Sequence, residues 1–370
     1  MRVKLFDKYR KWKKRRFRKN NRRIFCQWPY SGIFITLDGM VRPCCFGPAC
    51  GDLNKDDIET IWNGNEMVRR REGLLEGDLE AAGCGECGWI NRRNIETYDR
   101  CEDLGQSLAI RKNIKLQRKE YKAGLLSLES FPSNFTIQLT EACNFRCIMC
   151  FQQHQHKHLS EDILTKIMNN SDKIDEFKFT GGEPLVSKWI PEFIEAFNPE
   201  NGQKIGFTTN GSLIGKFKHK LEEMPRLFLA ISVHAAKKET FESIKVGGNW
   251  QSIYDNVVWY ASERRRRRPF WDDGRLTFVV MSKNYEEIPD FLKWLRELEM
   301  PALFQPVWGE RAQEYNIFEY PELRSRLTHP KKIYSIAKEI VKDMPDQERN
   351  EILMSLRYTL DKLDDWPDVS

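Results

Sequence analysis

From about residue 133 the chain changes phase at regular intervals. FTIQLT (135–140) alternates apolar and polar positions and is rich in β-branched residues, so it reads as a strand. SEDILTKIMNN follows, with a capping residue, Ser160, ahead of apolar positions at helical spacing. The exchange then recurs. EFKFTGGEP is a strand broken by a double glycine, KWIPEFIEAF a helix, and KIGFTTNG a strand closed by a turn, with the next helix starting near Ser212. LFLAISVH, LTFVVMSKN and ALFQPVW are further strands, and residues 252–268 and EEIPDFLKWLRELEM are the helices between them. Six strands separated by helical segments predict a parallel α/β domain. The polar and glycine punctuation falls at strand C-terminal ends: Cys143, Gly181 and Gly182, Asn210 with Gly211, Ser232 with His234, and Asn284. That is the edge at which such sheets bind and react. Six strands are too few to close an eight-stranded barrel, so the expected core is a partial (β/α)6 TIM-like barrel, open on one side.

The chain before this core has another texture. Residues 24–101 are turn-rich and hold seven of the ten cysteines. GIFITLDGMVRPCC reads as a hairpin turning at Asp38-Gly39, and residues 55–75 read as one or two short helices. The expected layout is a basic tail (1–23), a small cysteine-rich α+β domain (24–101), a helical connector (102–132), the α/β core (133–308) and a C-terminal helical extension (309–370). In that extension HPKKIYSIAKEIVKDM and DQERNEILMSLRYTLDKL carry apolar residues at helical spacing and no evident chemistry.

Charge changes the picture at one end. The chain carries a net +6, yet residues 1–23 hold thirteen Lys or Arg against Asp7 alone, so the rest is acidic overall. Phe6, Tyr9, Trp12 and Phe17 are interleaved with those charges. As a helix the arm suits an anionic membrane surface; as a coil it suits nucleic acid or an acidic partner; otherwise it is a solvated tail. A second run, Arg264 to Arg268, ends an amphipathic helix, where cations offset the macrodipole. No apolar run approaches the roughly 18–20 residues of a transmembrane segment, and no apolar stretch follows the basic start as in a signal peptide. The expected location is therefore cytoplasmic, with the arm able to hold the chain peripherally at an anionic membrane surface. Ten cysteines in a reducing compartment favour metal, clusters or catalysis over disulfides.

TEACNFRCIMCF places Cys143, Cys147 and Cys150 in eight residues directly after a strand. Thiolates are soft ligands for zinc, cuprous copper or iron–sulfur clusters, and three of them leave one corner of a four-iron cubane without a protein ligand. A zinc knuckle completed by a histidine of HQHKH (154–158) is the competing reading. The C-x3-C-x2-C spacing together with GGEP at 181–184 resembles the radical S-adenosylmethionine (radical SAM) superfamily. That resemblance spans roughly residues 133–308. It implies a [4Fe–4S] cluster on the three cysteines whose fourth iron is chelated by the amino and carboxylate groups of S-adenosylmethionine. It also implies that Gly181, Gly182 and Glu183 meet the methionine amino group and that Ser232 meets the ribose. Lys245 stands where the family often has an arginine for the carboxylate, and Met149 where it commonly has an aromatic near adenine. Asn210 is a further candidate for the same pocket, or a plain turn asparagine.

A second set reads Cys26, then Gly39-x4-Cys44, a following Cys45, GDLNKDDIETIWNGNEMVRRRE and Cys84-x2-Cys87. It resembles the SPASM/twitch auxiliary-cluster module, which usually follows the radical SAM domain and here precedes it. The resemblance implies that Cys26, Cys44, Cys84 and Cys87 close one auxiliary [4Fe–4S] cluster, leaving Cys45, Cys50 and Cys101 over; a four-thiolate zinc remains the alternative. The implied activity is reductive cleavage of S-adenosylmethionine to a 5′-deoxyadenosyl radical that abstracts hydrogen from a peptide, protein or carbohydrate-like substrate. The implied partner is a reductant such as flavodoxin or ferredoxin. The rival class is a non-catalytic iron–sulfur or zinc protein that binds nucleic acid or an anionic surface through its arm.

Overall fold

The computed structural model describes residues 26–85, 87, 105–271, 274–308 and 310–363. The basic arm (1–23) and Cys101 lie outside the described residues. The chain divides into two compact units. The first takes the described residues up to Leu139, with Leu159–Lys178 and Asn198–Gln203. The second takes Thr140–His158, Phe179–Phe197 and the described residues from Lys204 onward. Strands β4 (Asn134–Thr140) and β6 (Glu176–Gly181) begin in the first unit and end in the second.

In the first unit, β1 (Gly32–Ile35) and β2 (Met40–Arg42) form the expected hairpin, with Ile35 opposite Val41 and the Gly39 N–H donating to Thr36 O at 3.0 Å. β3 (Gly51–Asp52) adds antiparallel to β2. β1 also pairs in parallel with β4, Gly32 to Ile35 lying opposite Asn134 to Ile137. The cysteine-rich segment is thus stitched by a ladder to the first strand of the α/β core. Between the cysteine-rich segment and β4 runs a helix over Leu108–Ala123, started by Ser107 and stopped by Gly124 in the left-handed region. Its Tyr121 packs edge-on against Tyr30 at 5.0 Å, and both rings are buried.

Arg71, on helix Asn65–Glu76, is the polar centre of that packing. It is fully buried and donates to Pro29 O (2.7 Å), Leu126 O (2.9 Å) and Trp62 O (2.8 Å). Its guanidinium also lies 4.5 Å from the centre of the Trp62 ring. Burial pushes this guanidinium down to about 10, and carbonyl dipoles rather than a carboxylate satisfy it. In the sequence Arg71 is one of three consecutive arginines with no role assigned to it. Its interior role follows from carbonyls brought together by distant segments.

In the second unit, β7 (Lys204–Thr209), β8 (Arg226–Ser232), β10 (Arg275–Val280) and β11 (Ala302–Pro306) lie side by side in parallel, with Thr209 opposite Ile231, Thr277 opposite Ser232 and Val280 opposite Pro306. Each of the expected crossover helices is present: Ile214–Leu221, Trp250–Arg266 and Ile288–Leu298. β8 is buried along almost its whole length, as a parallel strand covered on both faces must be. The sheet stays open, with β11 as an end strand. The C-terminal helix Asp346–Leu360 covers that edge with hydroxyls: Ser355 Oγ accepts from Phe304 N at 3.2 Å, and Thr359 Oγ1 donates to Phe304 O at 3.0 Å. The arginine run is structural. Arg264, fully buried, donates to Glu348 at 2.9 Å and Glu299 O at 3.0 Å, Arg268 also pairs with Glu348, and Arg266 and Arg267 pair with Glu263. Among the described residues no helix is long and apolar enough to cross a membrane.

Arg71→Met keeps the bulk of this side chain and strips three carbonyls, two of them buried, of their donor. At roughly 1–3 kcal/mol per orphaned group, a loss of about 3 kcal/mol or more is expected in chemical denaturation. A change below about 0.5 kcal/mol would remove Arg71 from its structural role.

Candidate functional site

The end of β4 passes into the cysteine loop, and the end of β6 presses against it. Gly182 N donates to Thr140 O at 2.7 Å and Glu183 N to Ala142 O at 2.9 Å. A Cβ on Gly181 would sit 2.2 Å from Thr140 O, and one on Gly182 would sit 2.3 Å from Ala142 O; Gly181 also has φ +129°. Both glycines are therefore demanded by backbone contact with the cysteine loop. Gln152, just past the third cysteine, closes the ring by donating to Gly181 O at 2.6 Å.

Glu183 is fully buried. Its carboxylate accepts from Leu185 N (3.1 Å), Thr209 Oγ1 (2.7 Å) and Asn210 N (2.6 Å). Burial raises its pKa, while those donors and the charge of Lys245 pull it back. The carboxylate therefore ties the end of β6 to the end of β7. Asn210, in turn, is a loop clamp: its Nδ2 donates to Asn144 Oδ1 at 2.9 Å and lies 3.9 Å from Cys143 Sγ, while its Oδ1 accepts from Ser212 Oγ at 2.6 Å.

A two-stranded ribbon, β5 (Arg146–Cys147) with β9 (Lys245–Val246), sets Lys245 opposite Cys147. Lys245 is 2% exposed, and its charge favours the thiolate of Cys147 and the ionised form of Glu183. Burial is the larger influence on Cys143 and Cys147 and raises both thiols. Ser232 ends β8 and accepts from Thr277 Oγ1 at 3.2 Å. Met149 packs with Tyr315 and Phe318 against Ile244, Met281 and Val307, so its surroundings are apolar.

All ten residues expected around the cofactor lie in the second unit, most of them at strand C-terminal ends: Cys143, Cys147, Cys150, Gly181, Gly182, Glu183, Asn210, Ser232, Lys245 and Met149. Two neighbours join them: Thr209, which the sequence reading did not single out, and His234, which it placed at a strand end without a role. Thr209 holds Glu183, and His234 is buried with φ +65°, a backbone state that costs a branched-free but bulky side chain energy. His234 Nδ1 lies 3.1 Å from both Val279 N and Thr277 O, so the same ring nitrogen faces a backbone donor and a backbone acceptor. Burial, then Lys245, holds its pKa well below the ordinary value. The signal available in the sequence was its place beside Ser232 at a strand end.

In the first unit the structure gathers Cys26, Cys44, Cys84 and Cys87. Burial pushes Cys26 up to about 12 and Cys84 up to about 11, and the other thiols of the set add like-charge repulsion. Such a group ionises readily only around a cation that neutralises it. Cys45 is exposed, and Cys50 accepts a hydrogen bond from Arg70. Among the described residues no three of His, Cys, Asp or Glu converge on a single metal ion. The donor chemistry, three soft thiols in one set and four in the other, fits iron–sulfur clusters. The same observation gives the HQHKH zinc knuckle no support; His158 instead forms a β-bridge with Thr140.

This open α/β fold with three thiols on its strand-end loop is that of a radical SAM protein, and residues 137–295 match the family described as the radical SAM superfamily. More particularly, it is a radical SAM protein with a SPASM-type module ahead of that domain, residues 26–88 matching the iron-sulfur cluster-binding domain. Together these families imply a [4Fe–4S] cluster with S-adenosylmethionine and an auxiliary cluster. A probable GTP 3′,8-cyclase of Methanococcus maripaludis (strain C5) is 32% identical over 171 residues, 45% of this chain and 55% of its own. The GTP 3′,8-cyclase of Lactiplantibacillus plantarum is 26% identical over 178 residues, 45% of this chain and 52% of its own. The molybdenum cofactor biosynthesis protein moc-5 of Caenorhabditis elegans is 26% identical over 200 residues, 50% of this chain and 32% of its own. The chain spans about half the length of the two cyclases. Among solved structures, Streptococcus suis SuiB bound to precursor peptide SuiA aligns with a TM-score of 0.45 at 15% identity, covering 84% of this chain and 68% of that one.

Two outcomes are expected. Gly182→Ala forces the cysteine loop off β6, so anaerobic reconstitution should lose about four irons per chain while the auxiliary set stays loaded; full loading would contradict the contact. His234 has a folded pKa below its unfolded value, so its contribution to stability is present above about pH 6.5 and is lost as pH falls below that. Thermal unfolding of the wild type between pH 7.5 and 5.5 should therefore fall more steeply than that of His234→Gln; parallel profiles would contradict it.

Proposed function

We propose that the chain is a radical SAM enzyme that reductively cleaves S-adenosylmethionine and abstracts hydrogen from a peptide, protein or carbohydrate-like substrate, with the auxiliary [4Fe–4S] cluster aiding electron transfer. The observation that carries this reading is the three-thiol loop, pinned by Gly181, Gly182 and Asn210 beside the buried cation of Lys245. Three thiols leave one iron open, and a cation beside the second of them suits a ligand that brings a carboxylate.

The bound cluster and S-adenosylmethionine would supply one electron and a carbon–sulfur bond whose cleavage yields a carbon radical. The chain's residues have other tasks. Cys143, Cys147 and Cys150 hold the cluster. Lys245 offers a point charge to the carboxylate, less directional than an arginine fork. Glu183 fixes the ends of β6 and β7 at the amino-group side, Ser232 offers its hydroxyl to the ribose, and Met149 gives adenine a polarizable apolar wall. His234, neutral, gives the pocket a dipole without adding a second positive charge beside Lys245. A flavodoxin or ferredoxin is the proposed reductant. The proposed location is cytoplasmic, with the basic arm as a contact to an anionic membrane surface or nucleic acid.

The test is anaerobic reconstitution followed by dithionite and S-adenosylmethionine. About eight irons per chain, four for each four-iron cluster, and 5′-deoxyadenosine are expected, and Cys147→Ala should abolish the nucleoside. A colourless zinc protein, or a fully loaded protein that forms none, would support the non-catalytic class.

A further inference from the structure

Arg70 precedes Arg71 on the same helix and serves a different purpose. Its side chain is 1% exposed. Nε donates to Cys50 Sγ at 3.0 Å, and Nη1 donates to Ala82 O at 2.8 Å, two residues before Cys84. Glu66, which pairs with it among the described residues, lies 3.9 Å from Nη2 and is half exposed, so it compensates the buried charge weakly. Gly83, at φ +65°, makes room for the guanidinium: a Cβ there would lie 2.0 Å from Nη1. The charge of Arg70 also acts on Cys44 and Cys84, which belong to the four-thiol set.

A buried cation acting on two thiols of a four-thiol set has a natural counterpart. A [4Fe–4S]2+ core with four thiolates carries a net charge of 2−, and one-electron reduction to the 1+ core makes it 3−, with no proton taken up. A fixed neighbouring cation favours the more negative state and so raises the reduction potential. Only a planar fork can hold Cys50 and the Ala82 carbonyl at once, which an ammonium cannot do in the same geometry.

We propose that Arg70 is the positioning and charge-compensating residue of the auxiliary iron–sulfur centre, and that Cys50 is its hydrogen-bonded partner outside the four-ligand set. This rests on the reading that Cys26, Cys44, Cys84 and Cys87 hold an iron–sulfur cluster. Arg70 fixes the turn that presents Cys84, and Cys50 anchors the other end of the fork. The electron comes from a low-potential one-electron donor, dithionite in the test below.

The experiment uses the full chain carrying Cys143→Ala, Cys147→Ala and Cys150→Ala, so that only the auxiliary centre is observed. Reconstituted protein is titrated with dithionite and followed by electron paramagnetic resonance. The background protein and its Arg70→Gln, Arg70→Lys and Cys50→Ala variants should each bind about four irons. At fixed poise, Arg70→Gln should shift the ratio of reduced to oxidised cluster about tenfold toward oxidised, about 59 mV for a one-electron couple. Arg70→Lys should shift it the same way by less. If Arg70→Gln fails to fold, Arg70→Lys decides alone: a shift in that direction supports the proposal, and an unchanged midpoint overturns it. Loss of iron from Cys50→Ala would make Cys50 a ligand and overturn it too, as would a centre that holds zinc. Formation of 5′-deoxyadenosine by the parent chain, with its cysteines intact, tests the enzymatic reading separately, so either can fail without the other.

Discussion

The site depends on the absence of two side chains. Gly181 and Gly182 let the end of β6 lie on the backbone of residues 140–142, so close that a methyl group at either position would occupy a carbonyl oxygen. That contact fixes where the cysteine loop starts. Once it is made, the buried carboxylate of Glu183 is carried to Thr209 and Asn210, and Asn210 reaches back through Asn144 to the first cysteine. One backbone approach therefore aligns three strand ends, and the two hydrogen bonds from Thr209 and Asn210 to Glu183 are buried. The β5–β9 ribbon then brings in Lys245 from a later part of the chain.

Buried cations do two kinds of work here. Arg71 and Arg264 are structural: one collects carbonyls and the other a buried carboxylate and a carbonyl. Lys245 and Arg70 lie beside thiols, Lys245 paired with Cys147 across a ribbon and Arg70 bonded to Cys50. Thiols that burial discourages from ionising become good ligands when a metal and a nearby cation share the cost.

The six core strands and their helices were legible because apolar alternation, β-branched content and capping residues are local signals. Ser160 caps its helix by accepting from Ile163 N, whereas the cap Asn249, which starts the Trp250–Arg266 helix two residues ahead of the expected 252, was not read. The cysteines were legible from spacing. What the sequence hid arises from long-range placement. The parallel pairing of β1 with β4 joins segments far apart in the chain. Strands of two residues, such as β5 and β9, have no periodicity to read. Arg70 and Arg71 have no assigned role until distant carbonyls and a thiol surround them. The glycines of GGEP were visible, yet the atoms that exclude a side chain there belong to another strand end.

The central claim is that the loop of Cys143, Cys147 and Cys150 leaves one iron for a small-molecule chelate. Electron–nuclear double resonance on the reduced, reconstituted protein, with S-adenosylmethionine labelled with nitrogen-15 at the amino group and oxygen-17 at the carboxylate, addresses it directly. Hyperfine coupling of both labels to the cluster is expected, and it should vanish in Cys147→Ala. A cluster that binds four protein ligands, with neither label coupled although S-adenosylmethionine is present in excess, would contradict the account.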